Sequence, residues 1–592
     1  MKLCEIALTP PIVAIIISFG LMFDASATDH YVSADKDYGS GPNGEVLPGD
    51  LTYSTIQDAI TAAQEGNDER EPDTIWVKDG FVSTAVYGKK NGWGCSAGVY
   101  LTKAITLRSQ SGDARTGNPP ILKGAPPATP TVVVHDGIGL GGTAVTALRL
   151  TAAATIKGLV FEGGSSSDSN SGSNGGGGIY VTAAAQFDKC VIRNNMAAYG
   201  GGVQATARDF EGNAPTFTDC VFSNNWAWFK GGAAYGCATY RHCDVVGNLT
   251  TNNSSLGYCP GIHGGSLTYK AKVYDCNISN NMNRSTRDCG GAYYVYAERT
   301  VFSGNTMRST TYGGAGAQES TLIECQIVGN KTGGNGGGLR GCVATNCLIA
   351  CNSAKNGGGV YNGTTVNCIV SNNVATVSGG GIYLGSAESA NIGNHIIFNE
   401  AQTYGGGVYA GENASSYDCL IAWNRQTPTG DSSIGGGGFS GTWAGKEASM
   451  RYARLVNCTV VSNQTAGTAA GGGAYCDLVN TIVCGNAKGN GRASNVGSVR
   501  SAVNSCAPEL TDTTKYPGCT AADPKFRRGC VYQIGPRSPC RETGLMLTDD
   551  AVFSSMEKDI DGNPRFGEKD GEPTIDMGCC QYVPFGLMML VR

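Results

Sequence analysis

The sequence predicts an all-β chain: a single-stranded, right-handed parallel β-helix (a solenoid) with an N-terminal helix cap and an irregular C-terminal cap. Three observations carry that expectation. The six-residue frame of Cys368-Ile-Val-Ser-Asn-Asn373 recurs in twelve copies starting between residues 190 and 481, with a mean period of about 26 residues. Its third position is apolar and its sixth is Asn in every copy. A glycine cluster follows many copies, as at Gly357-Gly-Gly359 and Gly379-Gly-Gly381. A strand this short, repeated at this period, cannot build a helix bundle, but stacked copies can cover one another at ~4.8 Å per coil.

In chain order, residues 1–27 have the shape of a signal peptide. Lys2 precedes an apolar run from Ile12 to Phe23, and Ala25-Ser-Ala27 has the small-x-small form of a cleavage site. The run is too short to span a bilayer, and no other segment is long enough, so no transmembrane segment is expected in the mature chain. Residues 28–150 should form the N-terminal cap and first coils. A helix starting near Ser54 as its N-cap would place Ile56, Ala59, Ile60 and Ala63 on one face to plug the first coil. Ile75-Trp-Val77 and Ile105-Thr-Leu107 read as early strands. Residues 151–500 hold the repeats, beginning with a degenerate copy near Gly158-Leu-Val-Phe-Glu-Gly163. Residues 501–592 lack the repeat and are richer in Pro and charge, as suits a second cap over exposed strand edges.

Within the frame, the first position is Cys in nine of twelve copies. First and third positions lie two apart, so both should face inward. The sixth-position Asn should end the strand, adopt left-handed angles and bond to the Asn above and below. Stacked cysteines ~4.8 Å apart exceed the ~3.5–4.5 Å between disulfide β-carbons, so the column reads as buried thiols filling small apolar positions. The remaining cysteines are expected to be oxidised in an exported protein. Six of them (Cys506, Cys519, Cys530, Cys540, Cys579 and Cys580) cluster in the cap, and fifteen pairings are open. A zinc site is the alternative, though His occurs only five times and no Cys-x-x-Cys is present.

Composition narrows the function. Of 592 residues 88 are Gly, only 15% are charged, and the net charge is −5, so nothing attracts nucleic acid. Three sets of residues could carry function. The column just before Cys should face outward, and Asp219 and Asp275 in it lie two coils apart, roughly 10 Å, near the spacing of an inverting glycosidase pair. A solvated face is the plainer reading of the same residues. The loop from Trp443 to Arg454 gathers Lys446, Arg451 and Tyr452, the base and cations a lyase needs against a uronate, or else a solvated loop. Tyr180, Tyr235, Tyr293, Tyr361, Tyr383, Tyr409 and Tyr475 recur two residues after glycine clusters and should point outward, with Trp226, Trp228 and Phe229 as a loop patch. This stripe could stack sugar rings or dock a partner; equally, its rings could stack on one another. His263, in Gly261-Ile-His-Gly-Gly-Ser266, reads as a turn histidine.

Phe222-Ser-Asn-Asn225 leading to Gly231-Gly-Ala233, and Phe302-Ser-Gly-Asn305 leading to Gly313-Gly-Ala315, resemble the paired motifs of polymorphic outer-membrane protein repeats. Those repeats belong to the pectate-lyase-like β-helix superfamily. The C-terminal Asp559-Ile-Asp-Gly-Asn-Pro-Arg565 and Ile575-Asp-Met-Gly578 resemble the segment called choice-of-anchor Q in bacterial secreted proteins. The autotransporter barrel that follows such repeats in polymorphic outer-membrane proteins is missing from this sequence. The resemblance implies secretion or a bacterial cell-surface location, and allows Ca2+ as a cofactor. The paired aspartates of polygalacturonases and the Arg-x-Pro-x-x-Arg of pectate lyases are absent.

The expected function is therefore adhesion or polysaccharide binding through an outer sheet face, by a monomer. The alternative is a polysaccharide lyase or glycoside hydrolase acting on an acidic polysaccharide.

Overall fold

The computed structural model describes residues 27–34, 36, 51–63, 71–83, 96–123, 133–134, 137–138, 145–166, 175–206, 214–251, 259–285, 289–385, 389–411, 414–427, 435–442, 453–467, 470–530 and 532–583. The leader-like segment up to residue 26 and the loop holding Lys446, Arg451 and Tyr452 lie outside the described residues.

The chain is a right-handed parallel β-helix with four strands per coil. In one coil they are Thr364–Val366, Ile369–Ser371, Val374–Ser378 and Ile382–Leu384. Stacked coils make four parallel sheets of 18, 14, 13 and 15 strands, here called first to fourth in that order. Register is kept from coil to coil: Ile349 pairs with Val370, and Val370 with Ile396. The third-position residues are fully buried and form one core with the inward residues of the other sheets.

Two sharp corners bracket each second-sheet strand. The residue before Cys adopts a left-handed backbone, as at Asp219 (φ 54°), Asp275 (φ 55°) and Asn367 (φ 53°). So does the fifth residue of the frame, as at Asn224 (φ 52°) and Asn372 (φ 54°). This corrects the sequence reading: the left-handed residue is the fifth, and the sixth-position Asn serves the interior. Asn373 is fully buried, and all its side-chain capacity is used. Its Oδ1 accepts from the backbone N–H of Asn352 at 2.9 Å and from Asn352 Nδ2 at 3.0 Å. Its Nδ2 donates to the Ile349 carbonyl at 2.8 Å and to Asn399 Oδ1 at 3.0 Å. The ladder runs on to Asn486 and Asn495, where the Glu509 carboxylate accepts from the Asn495 backbone at 2.8 Å and ends it.

The cysteine column is also a hydrogen-bonding column, which the apolar reading missed. Cys347 Sγ donates to the Thr345 carbonyl at 3.3 Å and accepts from the Cys325 backbone N–H at 3.4 Å. Copies without Cys keep the acceptor: Thr300 Oγ1 takes the Cys276 N–H at 3.3 Å, and Asn394 Oδ1 takes the Cys368 N–H at 2.7 Å. Among the described residues every cysteine is a free thiol, those of the cap included, so the expected pairing of the cap cysteines is not seen.

The glycine cluster lets coils close on each other before the fourth sheet. Gly357 has φ 60°, and a Cβ on Gly359 would meet the Gly381 carbonyl at 2.7 Å and Asn373 Nδ2 at 3.0 Å.

At the N-terminal end the helix Ile56–Ala62 plugs the barrel with Ile56, Ala59 and Ile60 buried. Its N-cap is Thr55 rather than Ser54, its hydroxyl accepting from the Asp58 N–H at 3.1 Å. The early strands, Thr74–Val77 and Thr106–Ser109, pair in parallel. At the other end Leu510 and Cys519 join the core, but the later cap residues fold back along the flank. There Asn480 Nδ2 donates to the Leu545 carbonyl at 2.8 Å, and the Cys579 N–H donates to Thr459 Oγ1 at 3.0 Å. Among the described residues no helix is long and apolar enough to cross a membrane.

Candidate functional site

Each of the fourth-sheet strands turns one residue outward, although Tyr180, Gln204, His263, Gln318 and Ser440 are themselves buried. Perfect register turns these into a single file: Tyr180, Gln204, Tyr235, His263, Tyr293, Gln318, Arg340, Tyr361, Tyr383, Tyr409 and Ser440. The stripe expected from the sequence is thus assembled, with two corrections. Tyr475 falls one residue past the file, at a left-handed corner (φ 56°), while Ala474 occupies the file position. His263 is a strand residue of the file rather than a turn histidine, because Ile262–His263 pairs with Ala292–Tyr293.

The rings lie against one another. Tyr361 stacks on Tyr383 (4.7 Å, 18°), and Tyr383 packs on Tyr409 (4.6 Å, 32°). Further up, His263 sits between Tyr235 (5.3 Å) and Tyr293 (5.0 Å). Tyr180 is buried, and Tyr235, Tyr293, Tyr361, Tyr383 and Tyr409 are half-buried, so the file presents only part of its ring surface. Cations border it: the Arg149 guanidinium lies over the Tyr180 ring (4.3 Å), and Lys230 lies 5.8 Å from the Tyr235 ring centre. Trp226, Trp228 and Phe229 sit on a strand, Trp226–Lys230, not in a loop. Trp226 and Trp228 meet edge to face at 6.0 Å, and Phe229 joins the file through Tyr199, which packs on Tyr235 at 5.5 Å.

Beside Tyr361 a cavity of about 390 Å³ opens between the fourth and first sheets. Glu319, Arg340, Asn362 and Thr364 supply its polar wall. Burial, with Tyr409 and Tyr361 beside it, pushes the Tyr383 hydroxyl up to about 12. Burial, with Lys230 nearby, holds His263 down to about 3. Its Nδ1 lies 2.5 Å from the Gly264 carbonyl, which fixes the proton on that nitrogen. Tyr383 and His263 are therefore neutral hydrogen-bonding groups at neutral pH.

Asp219 and Asp275 stand elsewhere, on the exposed corner before the second sheet. Arg299 clamps Asp275 through two bonds of 2.7 and 3.0 Å, and this guanidinium holds the carboxyl below its ordinary range. Of the two, Asp275 is therefore a carboxyl held ionised, the state of a base rather than of a general acid. His242 lies between the two levels, its Nδ1 4.0 Å from Asp219 Oδ1. The same corner is not a solvated face throughout: Asp418, Asn457 and Asn480 are buried under the C-terminal cap. Among the described residues no group of three or more His, Cys, Asp or Glu side chains is arranged to hold a metal ion.

One surface feature had no counterpart in the sequence reading. Phe398 and Trp423 occupy the left-handed fifth position on neighbouring coils (φ 58° and 55°) and stack at 5.2 Å while exposed.

No protein-family model and no curated protein matches the chain. Among solved structures, it is similar to the A-module of a mannuronan C-5 epimerase of Azotobacter vinelandii, at 12% identity and a TM-score of 0.26, over 79% of this chain and 96% of that one. It is also similar to a pectate lyase, at 10% identity and a TM-score of 0.19, over 94% and 96%. A tailspike protein of an E. coli bacteriophage, solved with a pentasaccharide, aligns at 12% identity and a TM-score of 0.25, over 77% and 75%.

Proposed function

We propose that the protein binds a polysaccharide along the outer face of its fourth sheet and does no chemistry on it. The single observation that carries this reading is the in-register file from Tyr235 to Tyr409, in which Tyr235, Tyr293, Tyr361, Tyr383 and Tyr409 are partly exposed. Partly exposed rings spaced at multiples of ~4.8 Å suit a linear polymer with its own short repeat. Arg340 and Glu319 beside Tyr361 add charged contacts that fix orientation. The finer reading is that the protein is exported, works as a monomer outside the cell or at its surface, and mediates adhesion. The leader-like N-terminus and the resemblance to polymorphic outer-membrane repeats support it.

Affinity electrophoresis in gels containing polygalacturonate or a neutral glucan tests the proposal. The protein should be retarded by at least one of them, and Tyr383→Ala with Arg340→Ala should cut the affinity about tenfold, as loss of one or two hydrogen-bonding contacts does. Unretarded migration in a broader panel of acidic and neutral polysaccharides would sink it. The release of reducing ends or of unsaturated uronate absorbance would replace it with the hydrolase or lyase alternative.

A further inference from the structure

The corner between the second and third sheets departs from its own pattern on two adjacent coils. The fifth residue of the frame has a positive φ in all twelve copies, and in ten of them it is Asn, Gly, Ser or Cys. Asn and Gly take this conformation readily, whereas a bulky ring takes it only under strain. Phe398 (φ 58°) and Trp423 (φ 55°) hold it nonetheless, and they are 51% and 37% exposed. Among the described residues each makes a ring contact only with the other. Two neighbouring departures that strain the backbone and turn apolar surface to water gain little for the fold, and such outliers point to a ligand.

The surroundings select its chemistry. The rings lie 9° from parallel with centroids 5.2 Å apart, so one face of each is turned to its partner and the other is left outward. In the same column Asn372 precedes Phe398 and Ser462 follows Trp423, so no large side chain of the column stands over either outward face. Just past the corner, Glu400, Arg425 and Gln464 stand in register on three third-sheet strands. Thr427 holds Glu400 at 2.6 Å, whereas the exposed Arg425 and Gln464 have no side-chain partner among the described residues. A protein partner would need roughly 800 Å² of surface, which two rings do not supply. An alkyl chain would gain nothing from Arg425 and Gln464. A ring that is apolar on its faces and polar at its rim uses both features. A pyranose with equatorial substituents, as in β-linked glucose, has only axial C–H bonds on its faces and hydroxyls around its edge.

We infer that Trp423 and Phe398 form a stacking platform for glucose-type units of a β-linked glycan, with Arg425 and Gln464 bonding to the hydroxyls. The platform stands away from the fourth-sheet file and is independent of the proposal made for that file.

Titration of the full chain with cellohexaose, read by tryptophan fluorescence and by calorimetry, tests it, with sorbitol as a polyol that has no ring. Cellohexaose should shift the emission saturably, and sorbitol should not. Trp423→Asn should weaken the calorimetric affinity about tenfold or more, as loss of an aromatic stack does. Asn is the native residue at this position in Asn194, Asn224, Asn280 and Asn372, so the variant should fold with a melting temperature unchanged or raised. Trp423→Phe, which keeps a ring, should retain more of the affinity than Trp423→Asn. Tyr383→Ala should leave the titration unchanged, which separates this platform from the tyrosine file. No binding of cellohexaose, an equal response to sorbitol, undiminished binding in Trp423→Asn, or loss of binding in Tyr383→Ala would each overturn the inference. So would a lowered melting temperature of Trp423→Asn, because the rings would then serve the fold.

Discussion

Two files of side chains run along this solenoid, asparagines inside and a tyrosine-rich row outside, and the chain treats them differently. Each asparagine spends every donor and acceptor on its neighbours: Asn399, for example, is fully buried and bonds to Asn373, Asn424 and the Val370 carbonyl. The tyrosines lean ring on ring but keep an edge at the surface, and other residues interrupt them at Gln204, His263, Gln318 and Arg340. An interior ladder tolerates no gap, because a missing amide strands groups on both neighbouring coils. An exterior file tolerates substitution, because solvent or a ligand can complete it.

The sharpest way to break the comparison is to cut the inner ladder. Asn373→Ala should leave the Asn352 backbone N–H and one Asn352 amide hydrogen without their acceptor, and should take one donor from the Ile349 carbonyl and one from Asn399 Oδ1, which keeps the backbone N–H of residue 373. The cost should be about 3 kcal/mol or more. Contacts run only between adjacent coils, so the loss should be local. Hydrogen exchange should show the coils around residues 349–399 opening first while the N-terminal coils keep their protection. Uniform exchange along the whole chain would contradict a ladder of nearest-neighbour bonds.

A second test uses the place where outside becomes inside. Asp219 and Asp418 occupy the same position of the repeat, but the first is partly exposed and the second lies beneath Arg565. Arg565→Met should strand a buried carboxylate and cost about 3 kcal/mol, whereas Asp418→Leu together with Arg565→Met should recover most of it. The pH dependence has a definite sign. Burial raises the Asp418 carboxyl from 3.8 to about 7, against the pull of Arg565, so the folded chain holds this proton more tightly than the unfolded one. Its contribution is present below about pH 4 and is lost as pH climbs toward 7. Melting curves of wild type should therefore fall over that window more steeply than those of Asp418→Asn.

These contrasts also mark what could be read from the sequence. The Asn column was legible because every copy keeps Asn. The tyrosine file was legible because two residues after glycine is a fixed parity on a strand. His263 was open to the same reasoning: Gly261-Ile-His263 occupies the frame of Gly178-Ile-Tyr180 and Gly381-Ile-Tyr383, but the following Gly264-Gly265 suggested a turn. The burial of Asp418 was not legible. Nothing within the repeat separates Asp418 from Asp219, and only the distant Arg565 decides which one is covered. The left-handed fifth position was hidden too, since Asn often fills both the fifth and sixth places, and only coils with Gly247, Gly304, Gly329 or Gly485 point to the fifth.

The cysteine column gives the smallest and most discriminating effect. If these residues were merely small apolar fillers, Cys347→Ala and Cys347→Ser would differ by the cost of burying a hydroxyl, and Ala would be the better tolerated. The structure argues the reverse. Cys347 Sγ accepts the Cys325 N–H, and its own hydrogen reaches the Thr345 carbonyl. A serine hydroxyl keeps both roles, as Thr481 shows by accepting from Cys458 and donating to Val479. Cys347→Ala should cost about 1–2 kcal/mol in denaturant titrations, and Cys347→Ser less than that. Equal losses, or a more stable Ala variant, would return the column to plain packing and leave the asparagines as the sole hydrogen-bonded ladder at this edge of the second sheet.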